Sequence, residues 1–120
     1  MARTQREAQA EERRVEARTL VIRVGPAEDG CLLRLSGELD DASAPALEHE
    51  LLRAEAAAGA TLVLDLGELE FIDSTGIALL VEAARRASEG GFELKVLRGS
   101  GQVERVLELT GVAELLDFLD

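Results

Sequence analysis

Four consecutive residues, Asp73, Ser74, Thr75 and Gly76, set a carboxylate and two hydroxyls immediately before a glycine. They follow Leu62, Val63, Leu64 and Leu66, an apolar run suited to a buried strand, which Leu69, Phe71 and Ile72 continue beyond Gly67. Immediately after them the period changes. Ile77, Leu80, Val81 and Ala84 recur at i, i+3, i+4 and i+7, which predicts a helix over residues 75–87 with Glu82, Arg85 and Arg86 facing outward. Ser74 is therefore expected at a helix N-terminus. Two chemistries suit that address. Asp73 or Ser74 can cap the helix by accepting a first-turn N–H. Alternatively Ser74 can accept a phosphoryl group, whose charge the helix dipole tolerates while the surface gains about two negative charges. Position alone leaves both open.

Other chemistries fit less well. A hydrolase elbow needs glycine two residues before its serine, and Ile72 stands there; its base would have to be His49, the only histidine. No glycine-rich turn carries the Lys-Ser/Thr pair of a phosphate-binding loop. Gly99-Ser100-Gly101 follows a strand pattern and opens a helix pattern, but Glu104 occupies the place where a dinucleotide fingerprint requires glycine. Asp40 and Asp41 resemble the acidic pair of a receiver's metal pocket, yet they follow the second strand and Lys95 lies within a strand pattern. The single cysteine, Cys31, excludes an intrachain disulfide, and with only one histidine beside it the composition disfavours a zinc site. The expectation is a protein that is not an enzyme and holds neither metal nor cofactor.

The elements that must position Ser74 can be read in order. Residues 20–24 and 31–35 read as two antiparallel strands joined by a six-residue loop, Gly25 to Gly30. Residues 36–41 leave the second strand as a loop. Ser43 is expected to cap a helix with Pro45 in its first turn, Leu47, Leu51, Ala54 and Ala58 as its buried stripe, and Gly59 at its end. A strand over residues 61–66, the helix after Ser74, a strand through Phe92, Leu94, Val96 and Leu97, and a helix over residues 102–109 ended by Gly111 follow. Residues 112–120 are expected to pack back as a last short helix. The order β-β-α-β-α-β-α implies a single α/β domain with a mixed, mostly parallel sheet, an N-terminal antiparallel hairpin strand and crossover helices. In such sheets functional groups gather where strands end and helices begin, which draws Asp40 and Asp65 to attention beside Ser74.

Charge narrows the partners. The 120-residue chain carries a net charge of −11, and 47% of its residues are hydrophobic, without an apolar run long enough to span a membrane. Residues 1–18 hold five arginines and four glutamates, leaving eight basic and twenty acidic residues in the rest. Such a body disfavours direct nucleic-acid binding and anionic membranes, and suits a basic protein partner. Residues 1–18 have no apolar stripe and read as a mobile charged extension, with the folded domain over residues 19–120. No secretory signal pattern is present, which places the expected location in the cytoplasm.

Taken together, Leu35-Ser36-Gly37-Glu38-Leu39-Asp40, Ala44-Pro45-Ala46-Leu47, Leu64-Asp65-Leu66, Phe71-Ile72-Asp73-Ser74-Thr75-Gly76 and Gly111 resemble the STAS domain family, in particular its stand-alone anti-sigma factor antagonists. The resemblance implies partner switching. The unphosphorylated antagonist would bind an anti-sigma factor that is also a serine kinase, freeing a sigma factor for transcription. Phosphorylation at Ser74, with Thr75 as a secondary acceptor, would release the partner, and a PP2C-type phosphatase would reverse it. Asp40, Asp73, Ser74, Thr75 and Gly76 would form the partner surface. The family also includes constitutive scaffold or accessory subunits of stress-signalling and transport complexes, and a small-ligand or nucleotide-binding domain is the alternative from another class. An oligomer is compatible with the sequence without being expected from it.

Overall fold

Alternating apolar residues build a six-stranded sheet in the computed structural model, which describes residues 12–57 and 61–119. Its strands are β1 (Arg13–Ala17), β2 (Leu20–Ala27), β3 (Gly30–Leu39), β4 (Thr61–Ile72), β5 (Glu93–Leu97) and β6 (Phe118–Leu119), lying side by side in that order. The first three are antiparallel and the pairs from β3 to β6 are parallel. Parallel neighbours need crossovers, which run through α1 (Ala44–Ala57), α2 (Ser74–Ser88) and α3 (Gly101–Leu109). The expected order is present, with one strand added at each end.

Strand periodicity divides the sheet into two unlike faces. Leu20, Ile22, Leu33, Leu35, Leu62, Leu64, Leu66, Leu94 and Val96 are buried in one core with Leu47 and Leu51 of α1, Leu80 and Ala83 of α2, and Val103 and Leu107 of α3. The residues between them, including Val21, Arg23, Leu32, Arg34, Val63, Asp65 and Lys95, are exposed or half-buried. Among the described residues helices thus cover one face and leave the other open.

Five expectations are corrected, the first being the exit loop at residues 36–41, since β3 continues to Leu39. Residues 13–17 of the supposed mobile extension form β1, whose register with β2 runs from Arg13 opposite Val24 to Ala17 opposite Leu20. Val15 packs against the core and Arg13 reaches α1, so a stretch poor in apolar residues is held by pairing and charge. Residues 1–11 lie outside the described residues, as do Ala58, Gly59 and Asp120. The β2–β3 loop is shorter than expected, because both strands continue to Ala27 and Gly30 and leave only Glu28 and Asp29 between them. Pro26 is tolerated there because it lies beyond the end of β1, where β2 is an edge. The last segment is a 3₁₀ turn, Val112–Leu115, followed by β6, instead of a helix, since Phe118 and Leu119 complete the edge of β5.

The strand leading to Ser74 is also longer than its apolar run suggests. β4 continues through Gly67 to Ile72 by adding one residue twice relative to β3, as Arg34 opposes Asp65, Ser36 opposes Glu68 and Glu38 opposes Phe71. These bulges carry the chain past the polar stretch without losing pairing. Gly37 serves the same passage on β3. Its φ of 95° is left-handed, and a Cβ there would lie 1.9 Å from the carbonyl oxygen of Thr19.

Candidate functional site

Asp73 is the hinge of the site. It is the N-cap of α2, and its Oδ1 accepts a hydrogen bond of 3.0 Å from the backbone N–H of Gly76. Its Oδ2 accepts another, 3.2 Å, from the N–H of Asp41. One carboxylate therefore joins the first turn of α2 to the loop between β3 and α1, a connection reinforced by the Asp73 N–H donating to the Leu39 carbonyl at 3.1 Å.

The neighbouring loop is organised by Asp40. Its Oδ1 accepts from the N–H groups of Ala42 and Ser43, each at 3.0 Å, and from the Ser43 hydroxyl at 3.1 Å. The Ser43 carbonyl accepts from the first-turn N–H groups of Ala46 and Leu47, so Ser43 has the cap position expected for it. Its side chain, however, turns backward to Glu38 and Asp40, and the buried hydroxyl belongs to the loop. Much of Asp40's hydrogen-bonding capacity is thus spent on the loop.

Ser74 is left with a different role. It is the first residue of α2, exposed, and among the described residues its hydroxyl makes no hydrogen bond. Of the two capping candidates Asp73 does the capping. Thr75 beside it is exposed as well. First-turn N–H groups lack helical partners, so an anion on Ser74 would meet the positive end of α2. The same anion would stand beside Asp73 and near the acidic loop of Asp40 and Asp41, whose charges oppose it.

Gly76 cannot belong to the contact surface in the same sense, because it is buried. A Cβ there would lie 2.7 Å from Leu39 Cγ and 2.8 Å from Ile72 Cγ1. The glycine lets α2 begin directly on the ends of β3 and β4. Asp65 also falls away from the site: its Oδ2 accepts from Arg34 Nε at 3.0 Å and its Oδ1 from the N–H of Gly67 at 2.8 Å.

Two contributors escaped the sequence reading. Gln102 of α3 accepts from the Ile72 N–H through Oε1 at 3.1 Å and donates from Nε2 to the Ile72 carbonyl at 3.2 Å. The amide pairs with the strand as another strand would and fixes the residue before Asp73. Only its place in the first turn of a helix after a parallel strand hinted at this. Phe71, in register with Glu38 of β3, is 37% exposed, although its apolar character suggests burial. Each bulge shifts the in-out alternation by one residue, so the two cancel and Phe71 keeps the outward parity of Val63 and Asp65.

A mixed sheet with helices on one face and a free serine hydroxyl at the start of a crossover helix defines a small α/β domain built to present that helix start. The chain belongs to the STAS domain family, whose model matches residues 19–119 and so begins after β1. It is 30% identical to the anti-sigma-B factor antagonist of Bacillus subtilis (strain 168) over 91 residues, 76% of this chain and 83% of that one. It is 29% identical to the protein of the same name from Listeria monocytogenes, over 70% of this chain and 74% of that one. Among solved structures, an anti-sigma factor antagonist from Mycobacterium paratuberculosis superposes with a TM-score of 0.73 at 26% identity, covering 87% of this chain and 89% of the other. The unphosphorylated form of the antagonist SpoIIAA shares the fold, with a TM-score of 0.66 at 22% identity over 82% of this chain and 88% of that one. These relatives are regulatory binding proteins rather than enzymes. Among the described residues no helix is long and apolar enough to cross a membrane.

Proposed function

We propose that this protein is an anti-sigma factor antagonist whose Ser74 is the phosphorylated switch. One observation carries the reading: Asp73 takes the cap of α2 and leaves the exposed Ser74 hydroxyl unbonded. A kinase can reach that hydroxyl without opening the fold. Relatives named as anti-sigma factor antagonists support the role, and SpoIIAA has been solved in both unphosphorylated and phosphorylated forms.

In this reading the unphosphorylated protein binds an anti-sigma factor serine kinase in the cytoplasm, and a PP2C-type phosphatase restores that state. The contact surface comprises Asp40, Asp73, Ser74 and Thr75 with the exposed ring of Phe71, while the buried Gly76 acts by positioning. A dianion at Ser74 would have to be desolvated beside existing carboxylates, so the switch is electrostatic and local. A hundredfold loss of affinity requires about 2.7 kcal/mol, within reach of uncompensated charge burial.

The test uses the purified cognate kinase. It should add one phosphoryl group to the wild type and none to Ser74→Ala, and Ser74→Ala should bind as the unmodified protein does while Ser74→Asp binds more weakly. Equal affinity of all three, or undiminished phosphorylation of Ser74→Ala, would sink the reading.

A further inference from the structure

The open face of the sheet carries a feature that the Ser74 switch does not use. Arg14 of β1 opposes Arg23 of β2, and Arg23 opposes Arg34 of β3. Directly opposed residues share a face, and neighbouring strands lie about 4.8 Å apart, so three arginines form a row about 10 Å long. All three are exposed, and with Gly25, Pro26 and Leu32 they line one shallow concavity.

Opposed like charges repel, and this chain holds 24 acidic residues with which a strand could have neutralised them. The pairing is instead confined to the ends. Arg14 is turned to Glu16 on its own strand, at 2.7 and 3.0 Å, and Arg34 to Asp65 on β4. Arg23, between them, makes no hydrogen bond or ion pair among the described residues. A guanidinium presents a planar fork that matches a carboxylate, so an unpaired arginine flanked by two exposed ones is a ready receiver for one.

We infer that this row is a second docking surface, and that its partner is an acidic segment of another protein lying extended across β1, β2 and β3. In an extended segment alternate side chains recur about every 6.8 Å, so two carboxylates spaced i and i+2 fit within the row. A nucleic acid fits poorly. Glu16 stands beside Arg14 and Asp65 beside Arg34, while Glu12 lines the concavity over Gly25, and a continuing phosphate backbone would run into them. This surface lies on the sheet face opposite the helices, and the inference does not depend on Ser74.

The experiment is an amide and arginine side-chain NMR titration of the full isotope-labelled chain. The probes are a capped peptide of alternating glutamate and alanine, its glutamine counterpart and an oligothymidylate. The acidic peptide should move signals of β1, β2 and β3, including the Arg23 side chain, and the glutamine peptide should not. Arg23→Glu should weaken that binding about tenfold or more. Its melting temperature should hold or rise, because the substitution removes opposed like charge. Absence of shifts, shifts at other elements, unchanged binding by Arg23→Glu, or oligothymidylate binding as tightly as the acidic peptide would each overturn the assignment.

Discussion

Two carboxylates each tie together segments distant in sequence, and they do so in opposite ways. Asp73 is satisfied by backbone N–H groups of Gly76 and Asp41 and remains partly exposed. Glu50, in the middle of α1, is 4% exposed and is held by a fork of bonds from Arg13 of β1, one of them 3.2 Å long. Backbone donors serve Asp73 without occupying the neighbouring side chains, which leaves Ser74 free. The buried Glu50 requires a full opposite charge, since an unpaired ion in a core is costly. The hydrogen bonds from Arg13 hold the Glu50 carboxyl below the usual carboxylate range, against burial, which pushes it up. The first arrangement keeps chemistry accessible, and the second fastens an added strand to the domain.

The largest effect should come from breaking the support beneath the accessible region. Gly76→Val would drive methyl groups into Leu39 and Ile72, and should cost about 3 kcal/mol in urea unfolding, as overpacking does at its upper end. A loss below about 0.5 kcal/mol would show that α2 does not start against those side chains.

Removing the cation of the buried pair comes next. Arg13→Ala strands Glu50, but the Arg13 side chain is 39% exposed, so solvent relieves part of the penalty and the loss should be about 2 kcal/mol at neutral pH. Glu50→Gln in the same chain should recover part of it. The sign of the pH dependence follows from the lowered carboxyl. The pair's contribution is fully present above the ordinary glutamate value of about 4.3 and is lost as pH falls through the lower folded value. Wild type and Arg13→Ala should therefore converge in stability on acidification. A gap that stays constant from neutral pH into the acid range would refute the pairing as its cause.

The same contrast explains what could be read from the chain. The period change at Ser74, the crossover order and the acidic loop were legible because they depend on neighbours in sequence. Glu50 stands three residues after Leu47, within the buried stripe of α1, yet its polar type suggested solvent. Its partner lies 37 residues away, in a stretch whose composition resembled disorder. The bidentate bonds of Arg86 to Glu55, both 2.7 Å, were hidden for the same reason, since helix periodicity alone turns Arg86 outward. Within the site, the type of Asp73 pointed to a cap, whereas the reach of Asp73 to Asp41 and of Gln102 to Ile72 depended on bulges in β4 that no local pattern announces.

The smallest effects separate capping from switching. Asp73→Ala removes the acceptor for Gly76 and Asp41 and should destabilise the protein by about 1 kcal/mol, the usual worth of a helix cap. Ser74→Ala deletes a hydroxyl that bonds to nothing among the described residues, and should change stability by less than about 0.5 kcal/mol. Paired urea titrations of the two variants measure the difference directly. If Ser74→Ala were as costly as Asp73→Ala, the serine would share the cap and its hydroxyl would not stand free. A near-zero cost for Ser74→Ala beside a clear cost for Asp73→Ala assigns fold maintenance to the aspartate and leaves the serine available for modification, one residue away from the group that holds the helix in place.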